Sequence, residues 1–213
     1  MNRVIGVDES GKGDFFGPLV VGGILIPDSD IAELREMGVK DSKTLSDRRA
    51  LAVDGVLRSR YPHVLAVLLP SEYNIVYQTI RNLNVLLARQ HATVISDLAR
   101  RHPADLAISD KFGKPELIER ALQEFACSIE MRQIVRGESI PQVAAASIIA
   151  RACFLREMSA LSELVGVALP KGAGSAVDQV GRLLVSRFGE KTLLNVAKTH
   201  FKNYARSLRP TSL

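Results

Sequence analysis

The stretch "RVIGVDESGKGDFFGPLVVGGILIP", residues 3–27, restricts the fold more than any other part of the chain. Two β-rich, near-continuous apolar runs, "RVIGVD" at 3–8 and "PLVVGGILI" at 18–26, are separated only by a glycine-rich turn. Apolar residues without alternation mark strands buried on both faces, so the pair reads as neighbours in a sheet covered on either side. Two adjacent carboxylates, Asp8 and Glu9, stand where the first strand ends and the backbone turns. Charge is costly there unless it is partnered.

The remaining chain supplies helices and further strands. "PDSDIAELREMG" reads as a short helix closed by Gly38, and "TLSDRRALAVDGVLRSRYP" as a longer one capped by Ser46 and stopped before Pro62. "HVLAVLLP" is a third strand. From Ile80 to Arg101, Leu83, Leu86, Leu87, Val94, Ile95 and Leu98 recur at helical spacing, and Pro103 ends the run. A short buried strand "DLAIS", a helix around 115–125, a strand "SIEMRQIV" and a long helix from Pro141 follow. The C-terminal third reads as one helix ending at Gly189 and a last helix starting near Glu190. Strands alternating with helices, then helices alone, indicate an α/β sheet with a helical C-terminal extension from about residue 165. A length of 213 residues suits one domain with one core, and no stretch reads as an interdomain linker; "LPKGAG" at 169–174 is the best candidate for a mobile joint, though its length favours an ordinary loop.

Against 23 acidic residues stand 28 Lys and Arg, a net charge of +5, which favours a polyanionic partner. Cys127 and Cys153 lack metal-ligand spacing and read as reduced, buried thiols, which points to the cytoplasm. The longest apolar run, "PLVVGGILIP", is about half of a membrane span.

Gly6, Gly11 and Lys12 satisfy G-x-x-x-x-G-K, yet a nucleotide-binding loop fails on chemistry. Gly13 stands where a magnesium-binding Ser or Thr is needed, and "GDFFGP" cannot open a helix. Asp8 and Glu9 are better read as oxygen ligands for a hard divalent cation. A two-metal phosphoryl site needs further carboxylates from other segments, and Asp110 and Glu138, each following a strand, are candidates. In isolation Asp110 reads equally as a turn residue and Glu138 as a helix-end charge favoured by the dipole.

Six ordered motifs, "VDESGKGDFFGPLVVGG", "VKDSKTLSDRR", "NLNVLLARQHA", "ISDKFGKPE", "ESIPQVAAASIIAR" and "LPKGAGSAVDQV", resemble the type 2 ribonucleases H, ribonuclease HIII more than ribonuclease HII. The resemblance implies a ribonuclease H-like fold, a central mixed sheet flanked by helices. It also implies hydrolysis of the RNA strand of RNA/DNA hybrids to 5′-phosphate and 3′-hydroxyl ends, with Mg2+ or Mn2+ in a two-metal mechanism. The catalytic, metal-binding carboxylates it implies are Asp8, Glu9, Asp110 and Glu138, and Glu at the fourth position with the phenylalanine pair of "GDFFGP" is the ribonuclease HIII pattern. In the family, the segment matching Gly11, Lys12 and Gly13 contacts the ribose at the cleaved position.

Lys43, Lys171 and Lys202 resemble family positions on the nucleic-acid side and are assigned to phosphate contacts. Ser10, Asp14 and Asp41 are secondary candidates. Asn84 and His91 share a helix face with either a groove or a buried polar network as their setting, and Asn82 is a weaker candidate. Ribonuclease HIII usually carries an extra N-terminal substrate-binding domain, whereas here the acidic motif begins within eight residues of Met1. The expectation is therefore a monomeric catalytic domain without it, acting on long hybrids. The alternatives are a hybrid-binding protein without catalysis, and a junction ribonuclease cutting at single ribonucleotides in DNA.

Overall fold

The computed structural model describes residues 2–39 and 45–209, which form two compact units. The first comprises Met1–Ser10, Val21–Ala66 and Asn82–Ala152; the second comprises Gly11–Val20, Val67–Arg81 and Cys153–Leu213.

Strands β1 (Arg3–Ser10), β2 (Leu19–Pro27) and β3 (His63–Leu68) join β4 (Leu106–Asp110) and β5 (Glu130–Ile134) in one mixed sheet of order β3-β2-β1-β4-β5. β1, β4 and β5 run parallel. Only eight residues connect β1 to β2, too few for a crossover, so that pair is a hairpin. Helices α1 (Ile31–Glu36) and α2 (Asp47–Arg60) lie between β2 and β3; α3 (Pro70–Ile80) and α4 (Leu83–Arg101) precede β4, and α5 (Pro115–Glu124) precedes β5. The rest is helical: α6 (Pro141–Val165), α7 (Ser175–Phe188), α8 (Lys191–Val196) and α9 (Lys202–Ser207).

In the first unit, side-chain alternation divides the sheet between two helical layers. Val21, Leu25, Ile5, Val7 and Ala107 pack with Ala88, Ala92, Val94, Ile95 and Leu98 of α4 and Ile118, Ala121 and Leu122 of α5. On the other face Val4, Leu106 and Ile108 meet Val143 of α6, while Ile24 and Ile26 meet α1, α2 and the alanine run of α6. Burial of each large aliphatic side chain contributes about 1.5–3 kcal/mol. α6 approaches the sheet at backbone distance. A Cβ on Gly6 would fall 2.1 Å from the Gln142 carbonyl oxygen, so only glycine fits there.

The second unit packs α7 on α9, where Gly181 admits Ser207, and it seats Phe15 and Phe16 at 0% exposure with ring centroids 4.7 Å apart. Asn74 of α3 is a saturated buried amide. Its Nδ2 donates to the carbonyls of Leu194 and Ala197, and its Oδ1 accepts from the Thr199 amide and hydroxyl.

Three expectations change. α3 is a helix that the apolar pattern does not announce, because its buried residues are Pro70, Tyr73 and Asn74 while Ile75 faces out. The last helix is two, α8 and α9, interrupted at 197–201 where Ala197 bridges to Phe16 in extended conformation. Cys153 is buried, but Cys127 is half-exposed.

Candidate active site

In the first unit the parallel register aligns Val7 with Ser109, so the next pair along the strands is Asp8 beside Asp110. Paired residues on parallel strands point to the same face, here the one covered by α6, at a strand spacing of about 4.8 Å. Asp8 is held against α6, where the Ser147 hydroxyl donates to it. Burial first, and the adjacent Glu9 second, push the Asp8 carboxyl up to about 6. Such a carboxylate is short of positive charge.

Asp110 is fixed by the backbone. Its Oδ1 accepts from the amides of Lys111 at 2.9 Å and Gly137 at 3.0 Å. Gly137 lies so close that a Cβ on it would come within 2.9 Å of the Asp110 backbone. The turn Gly137–Ser139, entered through Arg136 in left-handed conformation, thus carries half-buried Glu138 to the same strand end. Glu138 sits in a short 3-10 turn, three residues before α6 opens at Pro141, so it is not part of the first turn of that helix.

Glu9 alternates to the α4 face. There the ring of His91, 0% exposed, contacts it through Nε2 at 3.2 Å and packs on Phe112 at 4.6 Å between centroids. Among the described residues, Nδ1 of His91 is buried without a hydrogen-bond partner, so the contact through Nε2 with Glu9 is the one that holds the ring. Of the two settings open for this helix face, His91 takes the buried network. Asn84 is half-buried beside Gly113, and Asn82 is the α4 cap, accepting from the amides of Asn84 and Val85. Ser10 closes β1.

Among the described residues, no three His, Cys, Asp or Glu side chains are gathered tightly enough to enclose an ion as they stand. The donor set nonetheless suits a hard divalent cation: all four groups are carboxylates, and the raised Asp8 is the mark of a cluster that positive charge would relax.

In the second unit the turn after Ser10 is built from backbone. Gly11 has φ +86°, and a Cβ there would fall 2.1 Å from the Pro18 carbonyl oxygen. Gly13 is exposed and faces open space, while Lys12 is half-buried. The Asp14 carboxylate accepts from the Gly172 amide at 2.6 Å, and the Phe15 amide donates to the Gly172 carbonyl at 2.9 Å. "LPKGAG" is therefore an anchored loop, on which Lys171 is exposed; Lys202 is exposed at the start of α9. Lys43 and Asp41 lie outside the described residues.

Sequence reasoning missed Ser147, Gly137 and above all Lys198, which is fully buried with Nζ on the carbonyls of Asp14 and Gly17. Only Gly137, a glycine flanking a candidate ligand, carried a readable signal.

A sequence model of the ribonuclease HII family matches residues 5–204. Ribonuclease HIII of Protochlamydia amoebophila is 38% identical over 93% of this chain and 66% of its own length, and that of Chlamydia felis is 41% identical over 94% and 68%. The chain thus spans about two thirds of the length of these relatives. The crystal structure of Bst-RNase HIII in complex with Mn2+ superposes with a TM-score of 0.91 at 35% identity, over 97% of this chain and 69% of that one. Ribonuclease HII from Archaeoglobus fulgidus, solved in a complex with PCNA, gives 0.81 at 27% identity, over 98% of both chains.

Proposed function

The chain belongs to the ribonuclease HII family, and on that premise we propose that it is a metal-dependent endoribonuclease that hydrolyses the RNA strand of RNA/DNA hybrids, leaving 5′-phosphate and 3′-hydroxyl ends. The observation that carries this reading is the register that sets Asp8 beside Asp110, with the Gly137 turn bringing Glu138 to the same strand end.

In this reading Asp8, Glu9, Asp110 and Glu138 hold Mg2+ or Mn2+, two ions during catalysis. Bound there, the ions would activate the attacking water and stabilise the leaving oxygen of an in-line displacement. The protein's own part is positional. The Lys111 and Gly137 amides orient the Asp110 carboxylate, His91 orients Glu9, and the Ser147 hydroxyl orients Asp8. Ser10, Gly11, Lys12 and Gly13 read the ribose 2′-hydroxyl, for which the open face of Gly13 leaves room. Lys43, Asn84, Lys171 and Lys202 contact the nucleic-acid backbone, in keeping with the net charge of +5. Long hybrids are the preferred substrate, and residues 1–213 act as one monomeric catalytic domain. A cytoplasmic setting, where the thiols of Cys127 and Cys153 stay reduced, completes the reading; among the described residues no helix is long and apolar enough to cross a membrane.

The test is Asp8→Asn on a labelled RNA/DNA hybrid in Mg2+. Cleavage is expected to fall by at least about 10²–10³-fold with the fold intact. Turnover near the wild-type rate would refute the reading.

A further inference from the structure

Lys198 is one of the largest fully buried side chains of the protein, at 0% exposure. A lysine is almost never fully buried without close partners, and here the acceptors are main-chain carbonyls. Its Nζ donates to the Asp14 carbonyl at 2.8 Å and the Gly17 carbonyl at 2.7 Å, and its own amide donates to the Phe15 carbonyl at 2.8 Å. Three carbonyls of one turn therefore end on a single residue that lies more than 180 positions away in sequence. The Tyr73 ring lies 5.8 Å from the ammonium, and the Gly17 amide is tied in turn to the Val196 carbonyl at 2.9 Å.

A buried ammonium is a poor choice for stability alone. Desolvation drives its pKa down to about 7, and the nearby Asp14 only partly offsets this. An apolar side chain of similar volume would fill the space at less cost. What the lysine adds is direction, because two N–H donors fix where two carbonyls stand, and thereby the path of the backbone between them. That backbone carries Gly11 and Gly17, both at positive φ, and open-faced Gly13. A neutral amine keeps two N–H groups, so the anchoring survives loss of the proton.

We propose that Lys198 is the positioning residue that holds the turn at 11–17 in the shape that reads the substrate ribose. The proposal rests on the reading of this turn as the ribose contact. Lys198 itself touches no substrate; it sets the geometry of the groups that do.

The test pairs Lys198→Met, which keeps length and removes the donors, with Lys198→Gln, which keeps a two-proton donor on a shorter stem. Amide hydrogen exchange at residues 11–17 is expected to quicken by at least about tenfold in Lys198→Met, with Ile5 and Val7 unchanged. On an RNA/DNA hybrid kcat is expected to fall roughly 10- to 100-fold, as for a misplaced reacting group, while KM moves far less. Lys198→Gln should recover part of both losses, and it carries the comparison if Lys198→Met does not fold. Unchanged exchange in a folded variant would overturn the proposal, as would faster exchange with an unchanged kcat. The ribose reading is tested separately on wild-type protein, with a hybrid carrying one 2′-deoxy residue: cleavage next to it should stop, and continued cleavage there would overturn that reading while leaving the anchoring measurable by exchange.

Discussion

The carboxylate edge of the first unit and the glycine turn of the second follow one another directly in the chain, yet they are stabilised in opposite ways. At the edge, side chains do the work and are held in tension. Asp8 is buried beside Glu9 with its pKa pushed up to about 6, and among the described residues no three acidic groups enclose an ion as they stand. In the turn, backbone does the work. Gly11, Asp14, Phe15 and Gly17 are bound through main-chain groups to one another, to Gly172, to Val196 and to Lys198. On the proposed reading, the region that receives cations keeps neighbouring carboxylates that raise one another's proton affinity, whereas the region that keeps one shape closes its hydrogen bonds internally.

The contrast can be broken from either side. The largest effect is expected at the edge, where Glu138→Gln should reduce hybrid cleavage by about 10²–10³-fold while leaving the melting temperature unchanged or raised, since it removes one of several clustered negative charges. A melting temperature that falls while the rate holds would instead make Glu138 a purely structural charge. The turn should behave in the reverse sense. Gly11→Ala forces a side chain into positive φ and into the Pro18 carbonyl, and it should cost about 2–4 kcal/mol in urea unfolding. An alanine variant as stable as wild type would show the turn to be less rigid than its hydrogen bonds imply.

A smaller effect sharpens the comparison through pH. In the metal-free protein Asp8 keeps a proton in the folded state that the unfolded chain releases, so stability should fall as pH rises from about 4 to about 6, by on the order of 2 kcal/mol. Lys198 acts the other way. Its folded ammonium loses its proton near 7 while the unfolded one keeps it to 10.5, so this group adds stability as pH rises between those values. His200, whose pKa burial and Lys198 together lower to about 4, stays neutral across that upper window. Urea unfolding from pH 4 to 10 on wild type, Asp8→Asn and Lys198→Met separates the two contributions, and a slope unaltered by either substitution would count against the group concerned.

Much of the edge is legible in the sequence, because apolar runs that stop at a carboxylate announce strand ends: Asp8 after "VIGV" and Asp110 after "LAIS". The Ser46 cap, the Gly38 stop and the Pro141 helix start were readable for the same reason, each being a local rule of backbone geometry. What escapes is what depends on distant partners. Lys198 escapes because nothing local to it reveals that three carbonyls from residues 14–17 end on it. Helix α3 escapes because buried polar and aromatic residues, Tyr73 and Asn74, replace an apolar stripe, although Pro70 at its first turn is a usable sign. His91 gave its helix face but not its partner, since an interaction 82 residues apart with Glu9 has no sequence signature.

The central claim is that paired carboxylates on β1 and β4 jointly hold a divalent cation. Calorimetric titration of Mn2+ into wild-type protein and Asp110→Asn tests it most directly, without reliance on turnover. Wild type should bind, and Asp110→Asn should bind at least about tenfold more weakly, the lower bound expected even for loss of an outer-shell partner. Identical isotherms for the two proteins would contradict the account.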